Sequence, residues 1–247
     1  MNFLKMFSRK WIITTLLVVI AAVVCGRLGI WQLDRLAQRR VFNAHVHSMQ
    51  AFQPLILPGQ GELTNMEYRA VKVSGSYDFA NQVTIRNQFY NNQYGYHLLT
   101  PLCLVGGVAV LVDRGWIPGD GNSSPGDWRK YDQPGVVSLN GVIRLSQTTP
   151  SFEGVSDPTL TPDQTGLDFW VYANLDRIRE QIPYSLLPIY VQLNPDPSRT
   201  DPPIPYQPEL DLSEAPHQGY AIQWFSFVAV LLVGYPLYIS RQDRQKA

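Results

Sequence analysis

His217 stands at the head of a run of uncharged, mostly apolar residues, and Tyr220, Trp224, Phe227 and Leu231 follow it at intervals of three and four. At about 100° per residue these five fall on one narrow helical stripe, with Gln223 at its flank. An imidazole gathered with aromatic faces suits two tasks. A neutral imidazole is a good axial ligand for haem iron, and the Tyr220 and Trp224 rings can flank a flat macrocycle. Equally, amphipathic rings at that depth anchor a helix where membrane meets water. The residues alone leave both readings open.

Other chemistries have less support. His45 and His47, two apart, point to well-separated faces of a helix, and His97, in a strand-like segment, is expected to be a hydrogen-bonded sheet histidine. Soft copper sites need clustered thiols and thioethers, whereas Cys25, Cys103 and four scattered methionines form no cluster. The two cysteines suggest neither a disulfide nor a C-x-x-C pair. There is no G-x-S-x-G, H-E-x-x-H or G-x-x-x-x-G-K-[ST]. Gly119-Asp120-Gly121 opens like a dinucleotide loop, but Ser124 replaces the third glycine, and Ser123 and Ser124 read as turn residues. A non-enzyme is expected. A formal net charge of zero gives no footprint for a nucleic-acid partner.

The elements that must position His217 are two terminal apolar runs. Residues 217–240 carry no formal charge after His217 and match a hydrocarbon core about 30 Å thick, which predicts a transmembrane helix with Tyr235 and Tyr238 at its far interface. Residues 11–30 form the other span, broken only by Arg27, with Trp11 and Trp31 about 30 Å apart at its two ends. No A-x-A site ends it, so it is expected to be an uncleaved anchor. Ala22 with Gly26, and Cys25 with Gly29, are small-xxx-small pairs where a second helix can come close. Lys5, Arg9 and Lys10 before the first span, and Arg241, Arg244 and Lys246 after the second, place residues 1–10 and 241–247 in the cytoplasm. The absence of an Arg/Ser-rich presequence favours a bacterial inner membrane, with the middle of the chain periplasmic.

Residues 31–50 contain no proline and continue as an outer helix, whose Arg35, Arg39 and Arg40 either pair with lipid phosphates or grip an acidic ligand or partner. Within residues 51–193 the period changes to two. Residues 68–77, 82–90, 94–104, 108–116 and 135–145 read as strands of an antiparallel meander, turning at Asn91-Asn92, Gly106-Gly107 and an exposed loop over 119–126. Residues 175–182 predict a short helix and 189–193 a last strand. The fold class is therefore a membrane protein, two transmembrane α-helices flanking a mainly antiparallel β domain, barrel or sandwich, with one or two short helices. Residues 194–216 are proline-rich; the part from Asn194 to Pro208 is expected to stay outside any sheet as a stiff strap leading back to the membrane.

Four segments then add up to a resemblance. G-I-W-Q-L-D-R-L from Gly29, E-Y-R-A-V-K-V-S-G-S-Y from Glu67, V-D-R-G-W-I-P from Val112 and Y-A-I-Q-W-F from Tyr220 resemble, in this order and from the first span to the last, the Surfeit-locus family of cytochrome oxidase assembly factors. The resemblance implies a non-enzymatic accessory protein that binds haem a and promotes its insertion into the catalytic subunit of cytochrome c oxidase. The haem a synthesis machinery would be a further partner. It implies that His217, at the outer end of the second span, is the haem ligand, with Tyr220 and Trp224 as pocket walls. Gln218 stands where members often have leucine, and Pro216 precedes the histidine. Trp31, Arg35, Arg69, Arg114 and Trp116 take structural or docking roles, Arg114 either as a buried planar donor holding a loop or as part of a docking face. A cofactor-free scaffold that docks on oxidase subunits is the alternative.

Overall fold

In chain order the helices and strands are α1 (Ile12–Ala51), β1 (Leu55–Leu57), β2 (Ala70–Tyr77), β3 (Val83–Tyr90), β4 (Gln93–Leu104), β5 (Ala109–Pro118), α2 (Pro125–Trp128), β6 (Val136–Leu145), β7 (Phe169–Trp170), α3 (Leu175–Glu180), β8 (Leu186–Leu193), α4 (Ala215–Ala229) and α5 (Tyr235–Arg244). The computed structural model describes residues 6–59, 61–148, 156–160, 164 and 166–244; Lys5 and Lys246, used above for orientation, lie outside them. The chain divides into two compact units, Met1–His45 with Leu210–Ala247, and Val46–Glu209.

The first unit is a helical hairpin, and both of its helices are long and apolar enough to cross a membrane. With 40 residues, α1 is about 60 Å long, twice a hydrocarbon core, so the expected span and outer helix are one unbroken rod. Thr15, Ala22, Gly29, Leu36 and Asn43 are buried at seven-residue intervals, the period of a helix–helix seam. The partner is the chain's own second apolar helix. A Cβ at Gly29 would lie 2.8 Å from the Phe225 ring, so the small residue admits an aromatic ring here, while Gly26 faces open space. At the other end of the hairpin the Thr15 hydroxyl meets the Tyr235 hydroxyl at 2.7 Å, and Trp11 packs edge-on to Tyr238. Outside the seam, Ile13, Leu17, Val23, Ile222 and Val233 are exposed, as suits a hydrocarbon surround.

The second apolar helix is not uniform. A π-helical turn, Val230–Gly234, separates α4 from α5. Pro236 lacks an amide and crowds the carbonyl four residues earlier, and a widened turn just before it absorbs that misfit without ending the helix.

The second unit is a closed β-barrel. Around it run β2, β6, β8, β5 and β4, and pairing of Gly75–Tyr77 with Leu102–Leu104 joins β4 back to β2. A side chain at Gly75 would overlap the Cys103 carbonyl, so glycine is what allows the seam to close. Val71, Val73, Leu102, Val110, Val112, Ile143, Ile189 and Val191 belong to one core cluster, in the alternation that a barrel interior requires. A second cluster, including Leu99, Leu111, Trp170, Leu175, Ile178 and Tyr190, joins the opposite strand faces to α3.

The order is not a simple meander. β8 enters between β6 and β5 and runs parallel to β5. This buries β5 on both faces from Ala109 to Ile117, without the expected alternation. β8 also begins three residues earlier than expected, with exposed Pro188 beside a register shift where no ladder amide is required. Asn91 and Asn92, both at positive φ, turn β3 into β4 as their types predict. The loop over 119–126 is not wholly exposed: Asn122 is buried and its side-chain amide donates to the Pro118 carbonyl at 2.8 Å. The strap does join the sheet at one point, because Ile204 lies between prolines yet keeps its own amide, and Ile204 and Trp116 exchange two backbone hydrogen bonds of 2.8 Å.

Candidate cofactor site

α4 begins at Ala215 with Pro216 in its first turn, where a missing amide costs nothing, so the Pro216 and Gln218 departures leave a regular helix entry. The approach to that entry is tied to α1 within the helical unit. The Asn43 amide donates to the Leu212 carbonyl at 2.8 Å, Arg40 pairs with Glu214 at 2.9 Å, and Arg39 pairs with Asp211 at 3.3 Å. Two of the three arginines that the sequence offered to phosphates or an acidic partner therefore hold this chain's own acids. Arg35 instead packs its guanidinium 5.5 Å from the Trp31 ring centre and donates to Gln38 at 3.0 Å.

One turn into α4, His217 is half-buried, with Nδ1 3.0 Å from Oε1 of Gln32 on α1. Gln32 is itself buried. A glutamine Oε1 only accepts, so Nδ1 carries a proton and donates, and in the neutral ring Nε2 keeps its lone pair. Among the described residues Nε2 has no hydrogen-bond partner. A neutral imidazole in this tautomer suits an axial iron ligand, and the donor set fits a haem better than a copper ion. Cys25 is half-buried in α1, Cys103 is exposed, and no group of three or more His, Cys, Asp or Glu among the described residues can hold a metal ion.

The aromatic neighbours are placed less tightly than their spacing implied. The helix face packed into the hairpin carries His217, Ala221 and Phe225, four residues apart. Tyr220 is 53% exposed, and Trp224 is half-buried edge-on to Phe227 with ring centres 5.9 Å apart. No hydrogen bond or ring contact joins either residue to His217 among the described residues. Among the described residues nothing closes a pocket around these two rings.

The motif residues of the barrel make contacts within its own unit. His97 Nδ1 lies 2.8 Å from Asp113 Oδ2, and Asp113 Oδ1 accepts the Gly115 amide at 3.0 Å, all three groups buried. Burial lowers the His97 pKa but the Asp113 carboxylate beside it more than compensates, leaving it above its ordinary 6.5. Arg114 is buried, donates to the Tyr131 carbonyl, and lies over the Tyr77 and Phe79 rings at 4.9 and 5.5 Å, which makes it a planar donor fixing a loop. Burial pulls the Arg114 pKa down and pushes the Tyr77 phenol up to about 12. Trp116 is buried against Tyr90, ring centres 5.5 Å apart. Arg69, just before β2, donates to the Gln53 carbonyl at 3.3 Å and lies over the Phe52 ring.

The position of Gln32 at the helix seam carries a signal in the sequence. It sits three residues after Gly29 in the series Ala22, Cys25, Gly29, Gln32, the same small-residue stripe extended by one polar position.

Two long apolar helices bracketing one closed β-barrel, with a single half-buried imidazole at the head of the second, define the class: a two-helix membrane-type protein with one β domain. The SURF1 family matches residues 19–229, and the chain belongs to that family. It is similar to Surfeit locus protein 1 of Mus musculus, 27% identical over 229 residues that cover 86% of this chain and 71% of the relative. The Homo sapiens protein of the same name is 27% identical over 219 residues, 82% of this chain and 69% of the relative. A SURF1-like protein of Rickettsia bellii is 26% identical over 229 residues, 91% of this chain and 90% of the relative.

Proposed function

We propose that this SURF1-family chain is a non-enzymatic assembly factor for cytochrome c oxidase, binding haem a and promoting its insertion into the catalytic subunit. Its membrane is a bacterial inner membrane, with both termini cytoplasmic and the barrel periplasmic. The observation that carries the reading is the His217–Gln32 hydrogen bond, which leaves an Nε2 lone pair at the outer end of an apolar helix. Haem iron, when bound, supplies a site for that lone pair. The exposed Tyr220 ring and the half-buried Trp224 ring provide apolar surface for the macrocycle, and the Arg39, Arg40 and Asn43 contacts hold the α4 entry in position. Handing over a cofactor, rather than keeping it, suits a half-open setting of this kind. The haem a synthesis machinery is the source and the oxidase subunit the destination.

Protein purified from cells that make haem a is expected to show a Soret band that weakens strongly in His217→Ala, while both forms still pull down the catalytic subunit. Pull-down by both forms with colour in neither would assign the chain to cofactor-free scaffolds.

A further inference from the structure

Gln32 is a buried amide in the helix seam, between the small Gly29 and the apolar Leu36, and its Oε1 meets the imidazole that the proposed function uses. A buried polar side chain in such a seam is costly unless it is paired, and pairing with a glutamine oxygen has a directional result. An imidazole whose Nδ1–H is held by an acceptor is confined to one tautomer and one ring orientation. The same device orients metal-bound histidines through a carbonyl or carboxylate in their outer shell.

We infer that Gln32 is the positioning residue for His217: by accepting the Nδ1 proton it presents Nε2 as the donor to the iron of a haem-type macrocycle. The inference rests on the haem reading above and adds a residue on the other helix to it. The pairing requires α1 and α4 to stay in register. Phe225 over Gly29, about two helical turns from His217 on α4 and one turn from Gln32 on α1, and the Asn43 and Arg40 contacts to Leu212 and Glu214 fix that register on both sides of the imidazole. The ligand site is therefore a property of the hairpin and not of the second helix alone. Glutamate at position 32 would keep the acceptor and add charge; leucine would fill the space and remove the acceptor.

The test uses full-length protein in detergent micelles, with ¹⁵N-labelled histidine and haem as the probe. In the cofactor-free wild type, the His217 nitrogens are expected to report a protonated Nδ1 and a bare Nε2. Gln32→Leu should give a tautomer mixture and bind haem about 10- to 100-fold more weakly, and Gln32→Glu should restore the tautomer and the binding while lowering the reduction potential of the bound iron. Unchanged tautomer and affinity in Gln32→Leu would overturn the inference and leave the haem reading standing. No haem uptake by wild type, with the Nδ1–H tautomer still observed, would instead remove the haem reading and with it the role assigned to Gln32. Equal loss in Gln32→Leu and Gln32→Glu would also overturn the inference, since Gln32→Glu keeps the acceptor that Gln32→Leu removes.

Discussion

Gly115→Ala is expected to destabilise the barrel by about 4 kcal/mol or more, among the largest effects of any single methyl group in this chain. Gly115 has φ +117°, a region that L-residues rarely adopt, and a Cβ there would overlap the Ile204 carbonyl and the Pro205 nitrogen of the strap. Neither neighbour can yield easily, because Ile204 is bonded through both backbone groups to Trp116, the residue next to the substitution. Gly106→Ala is the control. Its φ of +99° is equally unusual, yet a Cβ there meets nothing within 4 Å, so only backbone strain of about 1–2 kcal/mol is expected. Denaturant unfolding of the full-length protein, followed through Trp116, Trp128 and Trp170, compares the two. Equal losses would mean that the strap does not press on Gly115.

Asp113→Ala is expected to cost about 3–5 kcal/mol, because it removes one partner of a buried pair and leaves the His97 ring and the Gly115 amide unpaired at once. The same pair makes stability depend on pH. The folded-state pKa of His97 is raised above 6.5, so the stabilisation it supplies is complete below about pH 6.5 and is lost as pH rises through the higher folded value. Unfolding midpoints should fall as pH rises from about 6.5 in the wild type, and the slope should disappear in Asp113→Asn, which keeps the shape without the charge. Parallel slopes in the two proteins would show that the pair carries no charge of consequence.

Those two sites also mark what the sequence could and could not tell. The spans, the strands over 70–77, 83–90, 93–104, 109–118 and 136–145, and the Asn91-Asn92 turn were legible, because apolar length, alternation and turn chemistry are local signals. The fastening of Trp116 to Ile204, which presses the strap on Gly115, was not, because it joins residues almost ninety apart, and a lone isoleucine among prolines carries no strand period. The parallel β5–β8 pairing was hidden for the same reason, and β1 and β7, with three and two residues, are too short to show alternation. The π turn before Pro236 could have been suspected from the proline alone.

At the candidate cofactor site, His217 stood out through its place at the head of an apolar run and through the family resemblance, whereas its hydrogen bond to Gln32 left no such mark. Helical spacing groups residues on one helix, so it linked His217 with Tyr220 and Trp224, which the fold leaves exposed or half-buried. The contact that matters crosses between helices. Only the continuation of the small-residue stripe from Ala22 to Gln32 pointed to it, and that stripe says where a neighbour comes close, not which side chain it brings.

The claim at the centre of this account is that the His217 imidazole is the iron ligand, and chemical rescue tests it most directly. Full-length His217→Gly in detergent micelles is titrated with haem, before and after addition of free imidazole. The account predicts little Soret absorption before imidazole and its return, with the signature of nitrogen ligation, once imidazole is added. A Soret band in His217→Gly equal to that of the wild type before any imidazole is present would contradict it.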